Sequence, residues 1–331
     1  MNKRFGFELE IQQVVSSERV MTSIINKALN ISGFGGEVEE DEDVYCWTLK
    51  TDHCGWEITS PALDTTLENI NKVGQWVKAM KAGLRGKTER QLFYRETGLH
   101  VHLDLDGTTW NMANRNNLAR AFIKFEPTLI RLNDKARSNH HSYCMHLRKE
   151  FKKEYADRGF ISVDDLRDFL NDYEVPMNRT GLEKIQKVIL KVSEDIVQFS
   201  EDSCFCEEEI FENHYVAINF NSYHDTVECR HGLATLNDEQ VKYWIGLLIL
   251  LGDAASKNKI NLKSKDLTEF SKIKKEDIKT NTQALLMYLR KTDYTKPWMR
   301  QLQRNVVRWI NKKMAGNWKN TNWNHHRSVR W

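Results

Sequence analysis

Residues 99–105 read LHVHLDL, an unbroken alternation of apolar and ionisable side chains. Successive residues of a β-strand point to opposite faces, so His100, His102 and Asp104 share one face and Leu99, Val101, Leu103 and Leu105 the other. Two further segments are built the same way. Residues 5–11 (FGFELEI) set Glu8 and Glu10 against Phe7, Leu9 and Ile11, and residues 226–230 (TVECR) set Glu228 and Arg230 against Val227 and Cys229. A solvated strand face mixes Thr, Ser, Lys and Glu. These faces concentrate carboxylate and imidazole, the oxygen and nitrogen donors that divalent cations prefer.

The chain has 331 residues, 40% of them hydrophobic, and four prolines. That is enough for one large or two ordinary domains, with no signature of disorder. Residues 1–7 carry charge but no apolar stretch of signal-peptide length. The longest apolar run, 243–251, falls far short of the ~20 residues that cross a bilayer. The expectation is a cytoplasmic protein without a membrane segment. Six cysteines without paired CxxC spacing read as reduced thiols. Charge is uneven: residues 296–331 hold nine Lys and Arg and no Asp or Glu, so the net +3 divides into about +9 for the tail and −6 for the rest.

Helical and extended patterns alternate along the chain. Residues 17–29 read as an amphipathic helix with Val20, Ile24, Ile25 and Leu29 on one side. A glycine-rich and acidic loop then leads to strands at 44–50 and 55–59, the second ended by Ser60-Pro61. Helical spacing covers 63–83 and 110–132, and 136–160 is rich in Arg, Lys, His and Asn. Helices are expected at 163–173 and 182–199, and a hairpin from 215–220 to 226–231 around a five-residue connection. Residues 238–255 read as a core helix, followed by helices at 262–274, 282–290 and 296–314. Hairpin-joined strands mixed with helix-separated ones predict an α+β layer architecture with helices on one side of an antiparallel sheet. The division expected is a catalytic domain over 1–260 and a helical, basic, Trp-rich extension over 261–331.

Glu8 and Glu10 project about 7 Å apart on one face, a separation suited to holding neighbouring hard cations. Histidines at 100 and 102 fit either direct ligation or a supporting hydrogen bond to a ligand. Arg230 beside Glu228 fits a clamp for phosphate or carboxylate, or a structural ion pair. Together these groups suit a polyanion-plus-metal site better than a water-activating zinc site.

The ordered segments Gly6-Phe7-Glu8-Leu9-Glu10, 47–61 (WTLKTDHCGWEITSP), Thr97-Gly98-Leu99-His100-Val101-His102, Ala217-Ile218-Asn219-Phe220 and 226–230 resemble the motifs of the amidoligase family. That family is a branch of the carboxylate-amine ligase superfamily that includes glutamine synthetase. The resemblance covers residues 3–255. It implies a curved antiparallel sheet forming a funnel, ATP, and Mg2+ or Mn2+ held by Glu8, Glu10, Glu57, His100 and Glu228. His102 is then expected to face the nucleotide, Arg230 to contact phosphate or substrate carboxylate, and His146 and Arg148 to add phosphate contacts. Asp52 and Asn219 match recurrent family positions, Asp52 being assigned to catalysis and Asn219 to cofactor binding. Cys229 stands where the family carries an aromatic residue, and one carboxylate near Glu57 is missing, with Asp52 and Asp104 as substitutes.

The implied reaction activates a carboxylate substrate by phosphoryl transfer from ATP, and an amine substrate then attacks the acyl phosphate. Two other readings fit parts of the chain. One is a zinc hydrolase built on His100 and His102 with help from His140, His141 or His231. The other is nucleic-acid binding through the basic tail. Trp298, Leu302, Val306 and Trp309 lie at helical spacing, which fits equally a face packed on the body.

Overall fold

The computed structural model describes residues 3–12, 17–39, 45–52, 55–93, 97–104, 112–133, 218–219, 226–268 and 272–319. The helices expected at 163–173 and 182–199, the basic stretch with His140, His141, His146 and Arg148, and residues 320–331 lie outside them.

Strand β1 (Arg4–Gln12) is the axis of the fold. Its ladder partners are β4 (Gly55–Thr59) and β5 (Leu63–Asp64) on one edge and β6 (Gly98–Asp104) on the other, all antiparallel. With β2 (Val38–Glu39), β3 (Trp47–Asp52), β7 (Ile218–Asn219) and β8 (Thr226–Leu233), the sheet runs β2-β3-β4-β1-β6-β8-β7. The β2–β3 pair is parallel, so the sheet is mixed but mostly antiparallel.

Ser60-Pro61 explains why one edge of β1 needs two strands. Proline cannot donate to a ladder, so β4 stops there and β5 resumes two residues later. Ser60 bridges the break: its N–H donates to Phe7 O at 2.9 Å, and its Oγ accepts the Phe7 N–H at 2.9 Å. Residues 63–64, expected in the following helix, are drawn into this short pairing. Helix α1 is Glu18–Ser32, and α2 (Leu67–Gly83) starts instead at the Thr66 cap, whose side chain accepts from Asn69 N–H.

One face of the sheet is apolar and covered by helices. Phe5, Phe7, Leu9 and Ile11 are each at most 1% exposed, and Phe7, Trp47 and Trp76 of α2 form an aromatic cluster with ring centroids 5.3–5.7 Å apart. Helix α1 packs on α2, which packs on α5 (Asp238–Lys257). A four-residue helix, α3 (Glu89–Leu92), and α4 (Met112–Leu132) complete this part of the chain. On α1 the buried set is Met21, Ile25, Ala28 and Leu29, and Val20 is 46% exposed. The helix is therefore rotated from the face expected, because Met21 rather than Val20 continues the stripe through Ile25 and Ala28.

The apolar run 243–251 lies in α5, which is buried on nearly all sides because α2, α4 and the C-terminal helices surround it. Among the described residues no helix is long and apolar enough to cross a membrane. Helices α6 (Lys275–Lys291) and α7 (Pro297–Lys319) follow. Among the described residues of the helix expected at 262–274, Ser264–Leu267 form a 3-10 turn, where Asp266 accepts the Lys263 N–H at 2.9 Å and closes the chain locally. Leu302, Val306, Trp309 and Ile310 of α7 are buried, with Leu302 and Val306 seated at Gly246 of α5, where a Cβ would crowd them. The tryptophan spacing thus reflects packing on the body, and nothing in it supports a nucleic-acid role for α7.

Ser60→Ala removes the acceptor for a buried N–H in the middle of β1. The expected loss is about 1–3 kcal/mol, read from the midpoint of urea unfolding, and an unchanged midpoint would contradict the bridging role.

Candidate metal and anion site

The second face of the sheet is polar, and the registers show how its groups meet. Glu8 pairs with His100 on β6 and with Thr59 on β4; Glu10 pairs with Glu57, which pairs with Lys50 on β3. His102 pairs with Gly6 and Glu228, and Glu228 with Asn219 on β7. The alternation in each strand therefore delivers Glu8, Glu10, Glu57, His100, His102 and Glu228 to one patch across adjacent strands. Asp52 pairs with Gly55, itself opposite Gln12, which places it about 13 Å along the strands from the Glu8 row.

The contacts within the patch are short. Glu8 Oε1 is 2.9 Å from His102 Nε2, and its Oε2 is 2.9 Å from His100 Nδ1. His100, 3% exposed, also has Nε2 3.4 Å from Glu10 Oε1 and Nδ1 3.5 Å from Glu228 Oε1. Glu10 Oε2 accepts the Gly98 N–H at the start of β6, so this carboxylate also fixes the entry of the histidine strand. Thr226 Oγ1 lies 3.0 Å from His102 Nδ1 and orients that ring. Arg230 contacts Glu228 through its guanidinium.

Burial on its own would raise the pKa of Glu8, but the His102 charge and hydrogen bonds from both imidazoles outweigh it, and the carboxylate is held well below its usual range. For His102 burial acts downward, yet the charge and hydrogen bond of Glu8, joined by the Glu228 charge, leave its pKa raised. The patch is thus a carboxylate-rich surface partly offset by the Arg230 guanidinium and by the His102 imidazole, whose charged form Glu8 favours. One donor atom each from Glu8, His102 and Glu228 lie within 4.8 Å of one another. The two carboxylates suit Mg2+ or Mn2+, and the imidazole is a ligand that transition metals take more readily than Mg2+ does.

Several expected residues fall elsewhere. Asp104 is engaged by Arg4 at 3.2 Å, and the Glu8, His102 and Glu228 group forms without it. His231 cannot serve a zinc site on the HxH strand. It lies on the helix-covered side of the sheet, stacked on Phe122 and with Nε2 3.6 Å from Glu126 Oε1. His140, His141, His146 and Arg148 lie outside the described residues. Lys50 and Thr226 join the patch without any signal in the sequence beyond the polar parity of their strands: register sets Lys50 opposite Glu57, and Thr226, paired with Asp104, reaches diagonally to His102.

Residues 1–251 match the family model described as "Putative amidoligase enzyme". This chain belongs to the amidoligase family. No curated protein matches it. Among solved structures it is similar to the complex between Prokaryotic Ubiquitin-like Protein Pup and its ligase PafA, at 11% identity and a TM-score of 0.40. The alignment covers 96% of this chain but 65% of that one, so the chain spans less than two thirds of that structure's length.

The Glu8–His102 pair gives metal-free amidoligase a defined pH response. The contribution of His102, whose pKa is raised, is complete below the ordinary imidazole value of about 6.5 and is lost as pH rises through the folded value. The contribution of Glu8, whose pKa is depressed, is complete above about 4.3 and is lost as pH falls through its folded value. The stability advantage of the wild type over His102→Gln should therefore be larger at pH 6 than at pH 9 in denaturant titrations with chelator. An advantage independent of pH would contradict the pairing.

Proposed function

We propose that this amidoligase is an ATP-dependent carboxylate-amine ligase, forming an amide or isopeptide bond through an acyl phosphate. The observation that carries the reading is the meeting of Glu8, His100, His102, Glu228 and Arg230 on one face of a sheet whose other face is wholly committed to the core. Family membership supports the formation of an amide bond in general.

The chemistry explains the charge pattern. A carboxylate is a poor electrophile, and its activation brings it against the γ-phosphoryl of ATP, so the site must accommodate two anions at once. A divalent cation held by Glu8, Glu228 and an imidazole, with Glu10 and Glu57 beside them, would neutralise phosphate charge when bound; the imidazole whose donor atom converges with those two carboxylates is His102, expected at the nucleotide, rather than His100, expected as the ligand. Arg230 is assigned to the transferring phosphoryl or the substrate carboxylate, contacts that its planar fork of donors suits. Glu228 holds that fork in place before substrate arrives. Thr226 and Glu8 hold the two nitrogens of His102, so the ring has one orientation. Glu10 divides its carboxylate between His100 and the Gly98 N–H, which ties the site to the β1–β6 ladder.

Further assignments belong to the same reading. The sheet is read as the wall of a funnel that admits ATP, with Asn219 beside Glu228 at its β7 edge and His146 and Arg148 adding phosphate contacts. Asp52, at the far end of the polar face, is assigned to the side where the second substrate enters. Residues 1–260 form the catalytic unit, and the helical extension from 261 braces it through the α7–α5 contact.

Purified full-length protein incubated with ATP, Mg2+ and candidate amine and carboxylate donors should consume ATP. Glu8→Gln and Glu228→Gln should each lower that turnover by at least a hundredfold while leaving the unfolding transition cooperative. Turnover retained by either folded variant would overturn the metal assignment.

A further inference from the structure

Strand β1 carries a glycine, Gly6, at the polar-face position between Arg4 and Glu8. A glycine inside a strand weakens it, because it gives up the most backbone freedom on folding and adds no side chain to the pleat. It is needed where the backbone is left-handed, where the ladder bulges, or where another backbone or a ligand comes close. Two other strand glycines have such a reason within the chain itself. Gly55 has a φ of 138°, and a Cβ on Gly232 would collide with the Leu99 carbonyl.

Gly6 has neither reason. Its φ is not positive, and β1 pairs with β6 without a shift from Phe5 opposite Leu103 to Leu9 opposite Leu99. A Cβ there would meet Ser60 Oγ at 3.7 Å and both His102 Cβ and Ser60 O at 3.8 Å, which are ordinary van der Waals contacts. The protein therefore has room for a side chain on its polar face where it carries none, and of the four reasons only the ligand remains.

The surroundings of this bare position say which ligand. His102 stands opposite Gly6 on β6, and Glu228 opposite His102 on β8. With Glu8, the next polar-face residue of β1, these two supply the donor atoms that lie within 4.8 Å of one another. In the other direction along β1, about 7 Å from Gly6, is the exposed Arg4, whose Nε donates to Asp104 Oδ2 at 3.2 Å. Arg230 lies beyond the donor group on β8, against Glu228. The donors thus stand between two guanidiniums, and the ground between them and Arg4 is bare backbone. An extended polyanion anchored on a cation at one end fits that line, since a guanidinium suits phosphate oxygens at the other.

We propose that Gly6 is a contact residue for the nucleotide, its bare backbone forming the floor over which the phosphate chain passes from the cation donors toward Arg4. The inference rests on the ligase reading for the identity of the ligand. A methyl group at position 6 would lift the chain off the strand and leave Glu8, His102 and Glu228 in register. Misplacement by about 1 Å is enough for losses of up to about a hundredfold at a reacting centre.

The test compares full-length wild type with Gly6→Ala. The variant should unfold at the wild-type temperature or above and bind Mn2+ alone within twofold of the wild type. In calorimetry with Mn2+ present it should bind a non-hydrolysable ATP analogue at least tenfold more weakly, and Gly6→Val more weakly still. Equal affinity of wild type and Gly6→Ala for the analogue would overturn the proposal and leave the ligase reading standing. A matching loss of affinity for Mn2+ alone would overturn it too, because the methyl would then act on the cation donors. So would a Gly6→Ala protein that fails to fold or unfolds well below the wild type, since the fold itself would need the glycine. If the wild type binds Mn2+ but no analogue, the ligase reading fails and the proposal fails with it.

Discussion

Glu8, Glu10, Glu57 and Glu228 stand on one face of neighbouring strands, and their mutual repulsion is the constraint that the rest of the site answers. In water four carboxylates would separate; the ladder does not let them. His100 meets it from the centre, within 3.5 Å of Glu8, Glu10 and Glu228, and His102 and Arg230 add positive charge at Glu8 and Glu228. Carboxylates arranged in this way suit an added cation, and a guanidinium beside them suits an anion.

The reverse face makes that concentration of charge tolerable. Phe5, Phe7, Leu9 and Ile11, interleaved with the glutamates, are buried, Phe7 against Trp76 of α2, so sliding β1 by one residue would exchange its buried and polar sets. Register is therefore fixed by hydrophobic burial, and the geometry of the polar groups follows from it. The Phe7, Trp47 and Trp76 cluster ties this register to α2, and Ser60 carries the β1 ladder across the proline that breaks its partner strand.

The parts of this arrangement legible in the sequence are those that depend on alternation alone. Period-two patterning assigned Glu8, Glu10, His100, His102, Glu228 and Arg230 to their common face, because parity needs no knowledge of the partner strand. Contacts across strands were not legible. Nothing local in residues 47–61 says that Lys50 meets Glu57, and nothing in TVECRHG says that β8 shifts register after Cys229, although alternation does set His231 on the side opposite Arg230. The same holds at Ser264–Leu267, where the Asp266 carboxylate closes a 3-10 turn on Lys263 within a stretch whose spacing reads as α-helix. On α1, Val20 and Met21 are both apolar, and only packing decides that Met21 is buried and Val20 exposed. Conversely, the spacing of Leu302, Val306 and Trp309 in the basic tail was readable as a packed face, and Gly246 supplies the close approach that it needs.

The central claim is that cation and phosphate bind together on the polar face of β1, β6 and β8. Anomalous diffraction from crystals grown with Mn2+ and a non-hydrolysable ATP analogue tests it most directly. The account predicts a manganese peak bonded to carboxylate oxygens of Glu8 and Glu228, with the triphosphate within reach of Arg230. Manganese bound elsewhere, or a nucleotide ordered away from this face, would contradict it.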